Sequence, residues 1–395
     1  MKINAKKVLV MILAVLLIFS CACEVQPAED ETTPTPTEAI TPTEAEAPSD
    51  DPDDSSFDVL DKTDFTVVKV KLADGTEKEI SRVEYNYYFL MKYQNFINTY
   101  GSYLSLLGFD TSKTLKEQVY DPETGATWFD HFCLEAEAMI NEIYVFERES
   151  ELRNIEMAAD LAANIEEYFT AMQSYTAFYD TDIDGLMKML YGSAASAEKI
   201  REVMTRYYKA ANAADVIFKS YVYPDAEIEA FYNENKDDFA DMEYRTVNVR
   251  HILVDTKEEA DAILADWQAG EATAESFAAL AGEHSIDGGS SSNGGLYEGV
   301  YKGQMVEPFE NWCFDESRAE GDSGIVETDY GYHIMYFDSL GEYYWKISVK
   351  TAMADAEFAE MYTESAKNFT FTVDESSIEK LNKELEVLIA ASSAG

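Results

Sequence analysis

From Arg245 to Val254 the chain alternates like a strand, and Thr256-Lys257-Glu258-Glu259 follows at once as a capping box. A strand handed so directly to a helix is the tightest constraint on what this chain can become. Ala260, Ile263, Leu264 and Trp267 give that helix one apolar face, and Gly270 stops it. Phe277, Leu280 and Ala281 mark a second helix, and Gly288 to Gly295 a polar loop. Val306 to Phe314 reads as a short third helix and Gly331 to Phe337 as a last strand. The pattern predicts a small α+β unit from Tyr244 to Asp338, taken as a domain over 244–340.

Helical spacing dominates what lies before it, so 59–243 is expected to be a mainly helical domain. It opens on a hairpin, Phe65 to Ile80, where Val68, Val70 and Leu72 alternate and Ala73-Asp74-Gly75 supplies the turn. Phe89, Tyr93, Phe96, Tyr100, Leu104 and Leu107 then fall at steps of three or four, one face of a long helix. Further helices are predicted over Trp128 to Arg153, Ile155 to Tyr179, Ser196 to Tyr221 and, shorter, Ile183 to Tyr191. Tyr223-Pro224-Asp225 ends the run, with Asp225 placed to cap a helix carrying Ile228, Phe231 and Tyr232. Beyond the α+β unit, 341–395 reads as a helix (Trp345 to Lys367), a short strand (Phe369 to Val373) and a helix (Glu375 to Ala390). The Tyr, Phe and Met stripes of the helices are core residues in the plain reading. A groove for unfolded chains is the functional alternative, since such side chains re-pack around varied partners.

The first 58 residues read as a leader and a tether rather than as a folded domain. Lys2, Lys6 and Lys7 precede an apolar run from Val8 to Phe19, the length of a signal-peptide core and short for a membrane span. Ile18-Phe19-Ser20-Cys21 resembles a bacterial lipobox, so 1–23 is taken as a signal peptide with lipobox. The resemblance implies a diacylglyceryl group on Cys21, with Cys23 after Ala22 as the rival and ordinary secretory cleavage or an uncleaved anchor still open. From 24 to 58 the chain is Thr, Pro, Glu, Asp and Ala with almost no large apolar side chain, a disordered acidic tether. Fully extended it would reach on the order of 120 Å. The other two cysteines, Cys133 and Cys313, fall in different predicted domains and are expected to be buried free thiols.

Charge narrows the partners. With 30 Lys+Arg against 76 Asp+Glu, 30 − 76 = −46, the chain repels phosphate backbones, and nucleic-acid binding is excluded as a function. Three of the four histidines, His251, His284 and His333, lie between Val249 and Phe337. Metal, hydrolase and isomerase chemistry can all use histidines. No paired-ligand spacing such as H-E-x-x-H supports a metal, and no G-x-S-x-G elbow supports a Ser-His-Asp hydrolase.

In order and spacing, VRHILV (Val249 to Val254), HSIDGGSSSNGGL (His284 to Leu296), GQMVEPFENWCF (Gly303 to Phe314) and TDYGYHIMYF (Thr328 to Phe337) resemble the parvulin family of peptidyl-prolyl isomerases. The resemblance implies that His251 and His333 face each other, that Asp287 stands beside the rotating bond, and that Thr328 completes the histidine hydrogen bonds. It places Ser285 next to that network and forms the proline pocket from Leu296, Met305 and Phe309. Such catalysis needs no nucleophile, metal or cofactor. It needs an apolar clamp for the ring and polar groups that favour the twisted amide. Where phosphate-directed parvulins carry an arginine cluster, this chain has the short acidic Asp255-Thr256-Lys257-Glu258-Glu259, which would repel a phosphoserine. Trp312-Cys313 replaces smaller residues and is expected to reshape the pocket's back wall. A hairpin, a helical body and a parvulin module is also the layout of PrsA- and SurA-type extracytoplasmic foldases. That layout implies C-terminal segments returning to the helical domain, unfolded or newly exported clients, and attachment to the membrane through the lipid anchor. A holdase with a silent isomerase is the competing reading, and a surface interaction protein the third.

Overall fold

The computed structural model describes residues 63–393. Cys21, Cys23 and the acidic tether lie outside the described residues. In chain order the elements are β1 (Thr66–Leu72), β2 (Glu77–Ser81), α1 (Arg82–Tyr100), β3 (Val119–Asp121), β4 (Ala126–Thr127), α2 (Trp128–Arg153), α3 (Ala159–Tyr175), α4 (Ile183–Tyr191), α5 (Ala197–Ser220) and α6 (Asp225–Glu234). There follow β5 (Arg245–Val254), α7 (Lys257–Ala269), α8 (Ala274–His284), β6 (Leu296–Val300), α9 (Glu307–Cys313), β7 (Ser323–Thr328), β8 (Gly331–Tyr343), α10 (Tyr344–Ala366), β9 (Phe369–Val373) and α11 (Glu375–Ser393). The fold is α+β, and among the described residues no helix is long and apolar enough to cross a membrane.

Two compact units share the described chain. One takes residues 63–220 and 357–393, the other 221–356. The second unit therefore reaches outside 244–340 at both ends. Ile228 and Tyr232 of α6, Phe239 after it and Val349 of α10 form one apolar cluster within it.

In the first unit β1 lies between β2 and β9, antiparallel to both, with Val68 opposite Ile80 on one side and Val373 on the other. Thr127 and Asp130 close a capping box at the start of α2, and Asn154, at φ 53, ends that helix in the left-handed region. Fully buried Tyr85, Tyr88, Phe89, Phe129, Phe132 and Phe146 make this core aromatic.

Three sequence expectations shift here. The long helix stops at Tyr100, because Gly101 opens a 3-10 turn. The chain then reverses, the Phe109 N–H bonding back to the Leu104 carbonyl, so Leu104 and Phe109 go inside and Leu107 stays out. The helix expected over 155–179 shortens to α3. Pro224 takes the N-cap position of α6, leaving Asp225 as its first residue, where an acid still suits the helix dipole.

The second unit is built on a four-stranded antiparallel sheet in the order β6-β5-β8-β7. Strand alternation divides its sides. Ile252, Val254, Ile334 and Tyr336 pack with Ala260, Ile263 and Trp267 of α7 and Phe277 and Ala281 of α8. Val247, Val249, Met335 and Phe337 pack with Phe309, Trp312 and Cys313 of α9. His251 and His333 occupy odd positions and continue this second face. The Thr256 hydroxyl caps α7 by accepting from the Glu259 N–H. Cys133 and Cys313 are both buried and free.

Candidate active site

The site begins with strand register. β5 and β8 pair His251 with Met335 and Leu253 with His333, so the two histidines are diagonal neighbours on one face. Both are buried, and their rings stack at 5.2 Å with Nδ1 to Nδ1 at 3.0 Å. Phe309 of α9 closes over them, its ring edge-on to each imidazole at 5.4 Å.

Asp287 reaches this pair through a loop held by its backbone. The Ser285 hydroxyl oxygen accepts the N–H groups of Leu253 (3.1 Å) and Asp287 (3.3 Å), and the Ile286 N–H donates to the Leu253 carbonyl (2.9 Å). Residues 285–287 are thus laid along the end of β5. The loop returns when the His251 N–H donates to the Gly295 carbonyl at 2.8 Å. Gly295 sits at φ 71, and a Cβ there would meet the His251 carbonyl oxygen at 2.2 Å, so this closure needs glycine.

Asp287 Oδ2 lies 3.0 Å from His251 Nε2 and accepts hydrogen bonds from the hydroxyls of Ser290 and, at 3.1 Å, Tyr297. Among the described residues Oδ1 accepts only the Gly289 N–H, at 3.3 Å. At the other end Thr328 Oγ1 lies 2.8 Å from His333 Nε2 and accepts the Tyr330 N–H at 3.1 Å.

These distances assign the protons. Burial opposes charge on Asp287, yet the hydrogen bonds from Ser290 and His251 prevail and hold its carboxyl at about 2, so it is an anion. An anion 3.0 Å from His251 Nε2 requires a hydrogen there. His251 Nδ1 is then bare and accepts from His333 Nδ1–H, and His333 Nε2 accepts the Thr328 hydroxyl proton. One direction of donation runs from Thr328 to Asp287 with both imidazoles neutral. Burial, with His251 beside it, brings His333 down to about 4, and burial lowers His251 against the pull of Asp287.

The structure thus brings together His251, Asp287, Thr328, His333 and Phe309, with Met305 half-buried against the α9 cluster. One expected pocket residue, Leu296, is placed differently. The Ser285 oxygen is occupied by backbone N–H groups, and Leu296 is half-buried beside Arg250 in the register, in neither apolar cluster of the sheet. His284 ends α8 half-exposed. Ser290 and Tyr297 escaped the sequence reading. Ser290, three residues after Asp287, carried a signal in that turn-like spacing. Tyr297 would have needed β6 to be recognised, and five residues containing a glycine are too short for that.

Residues 250–339 match the family model described as "Rotamase: PPIC-type PPIASE domain". The chain is 34% identical over 126 residues to "Foldase protein PrsA" of Halalkalibacterium halodurans, covering 32% of this chain and 35% of that protein. It is 40% identical over 89 residues to "Foldase protein PrsA 1" of Listeria innocua, covering 22% and 29%. It thus spans about a third of the length of these curated relatives. Among solved structures, that of PrsA from Bacillus subtilis is 23% identical and covers 61% of this chain and 86% of its own, with a TM-score of 0.35.

Proposed function

We propose that the chain, whose residues 250–339 match the PPIC-type peptidyl-prolyl isomerase domain, catalyses cis–trans rotation about X-Pro bonds in unfolded polypeptides, without covalent chemistry and without a cofactor. The observation that carries this reading is a single anionic carboxylate, Asp287, anchored to a chain of neutral side chains beside the buried ring of Phe309.

Uncatalysed rotation faces a barrier of ~18–20 kcal/mol, because twisting breaks amide resonance. The planar amide carries partial negative charge on oxygen, and twisting returns that charge to nitrogen. A fixed carboxylate near the carbonyl oxygen disfavours the planar state and so lowers the relative energy of the twisted one. Phe309 and Met305 grip the proline ring. His251 and His333, neutral and joined, keep the floor rigid; the Asp287 anion sets their tautomers, and Thr328 donates to the bare Nε2 of His333. Nothing here forms a bond to substrate.

The substrate is a plain proline. Asp255, Glu258 and Glu259 are exposed, and Lys257 is paired with Asp261 at 2.7 Å, so the link after β5 offers a phosphate no free cation. The clients are newly exported chains, in keeping with relatives named foldases. Lipidation of Cys21, or of Cys23, would hold the protein on the extracytoplasmic face of a bacterial membrane, with the acidic tether over 24–58 as a leash.

An X-Pro peptide assay with phosphorylated and plain peptides tests the activity. Wild type is expected to turn over plain peptides faster and Asp287→Ala to lose that turnover. An inert wild type sinks the reading. Fractionation of cells expressing Cys21→Ser and Cys23→Ser chains tests the anchor, and release by neither overturns it.

A second reading, a holdase, is favoured by exposed apolar side chains in the first unit, among them Tyr103, Leu106, Val119 and Tyr120. Replacing Tyr103 and Leu106 by Ser in the full chain should weaken suppression of client aggregation while leaving X-Pro turnover intact. Unchanged suppression would remove that reading.

A further inference from the structure

We propose that Tyr297 is a positioning residue for Asp287. Its phenol pins one carboxylate oxygen so that the other, Oδ1, is presented to the peptide. The inference rests on the isomerase reading of the site.

The register of β6 on β5 sets Tyr297 opposite Val249, on the face of the sheet that carries His251. Its ring lies over the His251 imidazole at 5.2 Å and 30°, and its hydroxyl reaches Asp287 Oδ2 at 3.1 Å. Room for that hydroxyl is made by Gly289, where a Cβ would stand 3.0 Å from the Tyr297 oxygen.

Oδ2 then accepts from Ser290, Tyr297 and His251, whose Nε2 lies equally 3.0 Å from the Ser290 oxygen, while among the described residues Oδ1 has one long contact, to the Gly289 N–H. A carboxylate can accept about four hydrogen bonds. Three donors crowded on one oxygen fix the plane of the group and leave the open capacity on the other. His251 and Ser290 are buried, and Tyr297 is half-buried. The tyrosine is therefore the one of the three donors on the solvent side, where a bound peptide would otherwise compete for Oδ2. Burial, and the charge of Asp287 after it, raise the phenol above its ordinary range, so it remains a donor across neutral pH.

A tyrosine that merely fills space would be replaced by phenylalanine at no cost, and this separates the readings. In the full chain, Tyr297→Phe keeps the ring and removes the hydroxyl. The Asp287 carboxyl, followed by carbon NMR through an acid titration, is expected to move up by about half a unit to one unit, the effect of one charge-assisted hydrogen bond reduced by solvent. With X-Pro peptides, kcat should fall about three- to tenfold with KM little changed. In an Asp287→Ala background the same replacement should have no further effect, since the tyrosine acts through the carboxylate. An unmoved titration overturns the proposal. So does a moved titration with kcat at the wild-type value, or an equal loss of kcat with Asp287 already gone. If wild type fails to turn over any X-Pro peptide, the isomerase reading falls by itself, and the titration still decides whether the phenol holds Asp287.

Discussion

Each unit contains a carboxylate wrapped in donors, and the two are used differently. Glu384, on the last helix of the first unit, is 2% exposed, and both its oxygens are satisfied inside the protein. Oε1 accepts the N–H (2.8 Å) and hydroxyl (3.0 Å) of Ser193, while Oε2 accepts from Asn86 (3.1 Å) and faces the Arg82 guanidinium at 3.5 Å. Gly192 passes so near that a Cβ would lie 2.7 Å from the Glu384 carboxyl. Asp287 has one oxygen saturated and the other almost empty. A buried charge whose partners are all internal is a fastener. One with acceptor capacity to spare beside a buried aromatic ring is a site.

The harshest way to break that contrast is Glu384→Ala. It withdraws the carboxylate from Arg82, Asn86 and Ser193 at once, and breaking a buried ion pair costs about 3–5 kcal/mol. Hydrogen exchange read by mass spectrometry should show protection lost over 63–220 and 357–393, with X-Pro turnover per folded molecule unchanged. Intact protection would mean that Glu384 is no fastener. Asp287→Ala should do the reverse. Removing one preorganised electrostatic group costs about 100-fold in kcat, whereas stability should fall by only about 1 kcal/mol as Ser290, His251 and Tyr297 lose an acceptor. A variant that loses as much stability as Glu384→Ala would collapse the distinction.

The sequence revealed these two centres unequally. His251, His333, Asp287, Thr328 and Phe309 were legible because their order matched a known module, and alternation along β5 and β8 puts both histidines on one face. Glu384 was not legible. It is one acid among many on an amphipathic helix, and its partner Ser193 lies 191 residues away. Nothing local distinguishes a glutamate that will be buried from one that will be solvated. Short strands failed for a related reason. β6 and β7 owe their existence to pairing with β5 and β8 rather than to any periodicity of their own. The turn after Tyr100 was hidden because Leu104 and Leu107 continue the helical spacing past the point where Gly101 lets the chain leave it.

Acid should separate the units further. His333 is held near 4 by burial and by His251, against 6.5 for an unperturbed imidazole, so it is neutral when folded and charged when unfolded between those values. Unfolding takes up a proton across that window, and the second unit loses stability as pH falls from about 6.5 towards 4. His251 is shifted the same way, and Asp287, held at about 2 against 3.8, withdraws further support below that. The first unit has the lone His131, also lowered by burial and opposed by Glu135. Hydrogen exchange at pH 7 and pH 5 should show residues 221–356 losing more protection than the rest. Turnover of the folded protein should stay flat between pH 7 and pH 5, because His333 at about 4 and Asp287 at about 2 both titrate below it. A sharp fall in turnover without unfolding would mean that an imidazole proton takes part in the reaction.

The smallest effect asks whether Ser285 is a fastener or part of the site. Its oxygen accepts the N–H groups of Leu253 and Asp287, which makes it a small counterpart of Glu384 placed beside the chemistry. Ser285→Ala leaves both N–H groups without that acceptor and should cost about 1 kcal/mol in denaturant unfolding. With the 285–287 segment loosened, kcat should drop slightly while KM for an X-Pro peptide holds. If KM rises instead and stability stays at the wild-type value, the hydroxyl touches the peptide after all, and the line between fastening and contacting groups runs through Ser285 rather than beside it.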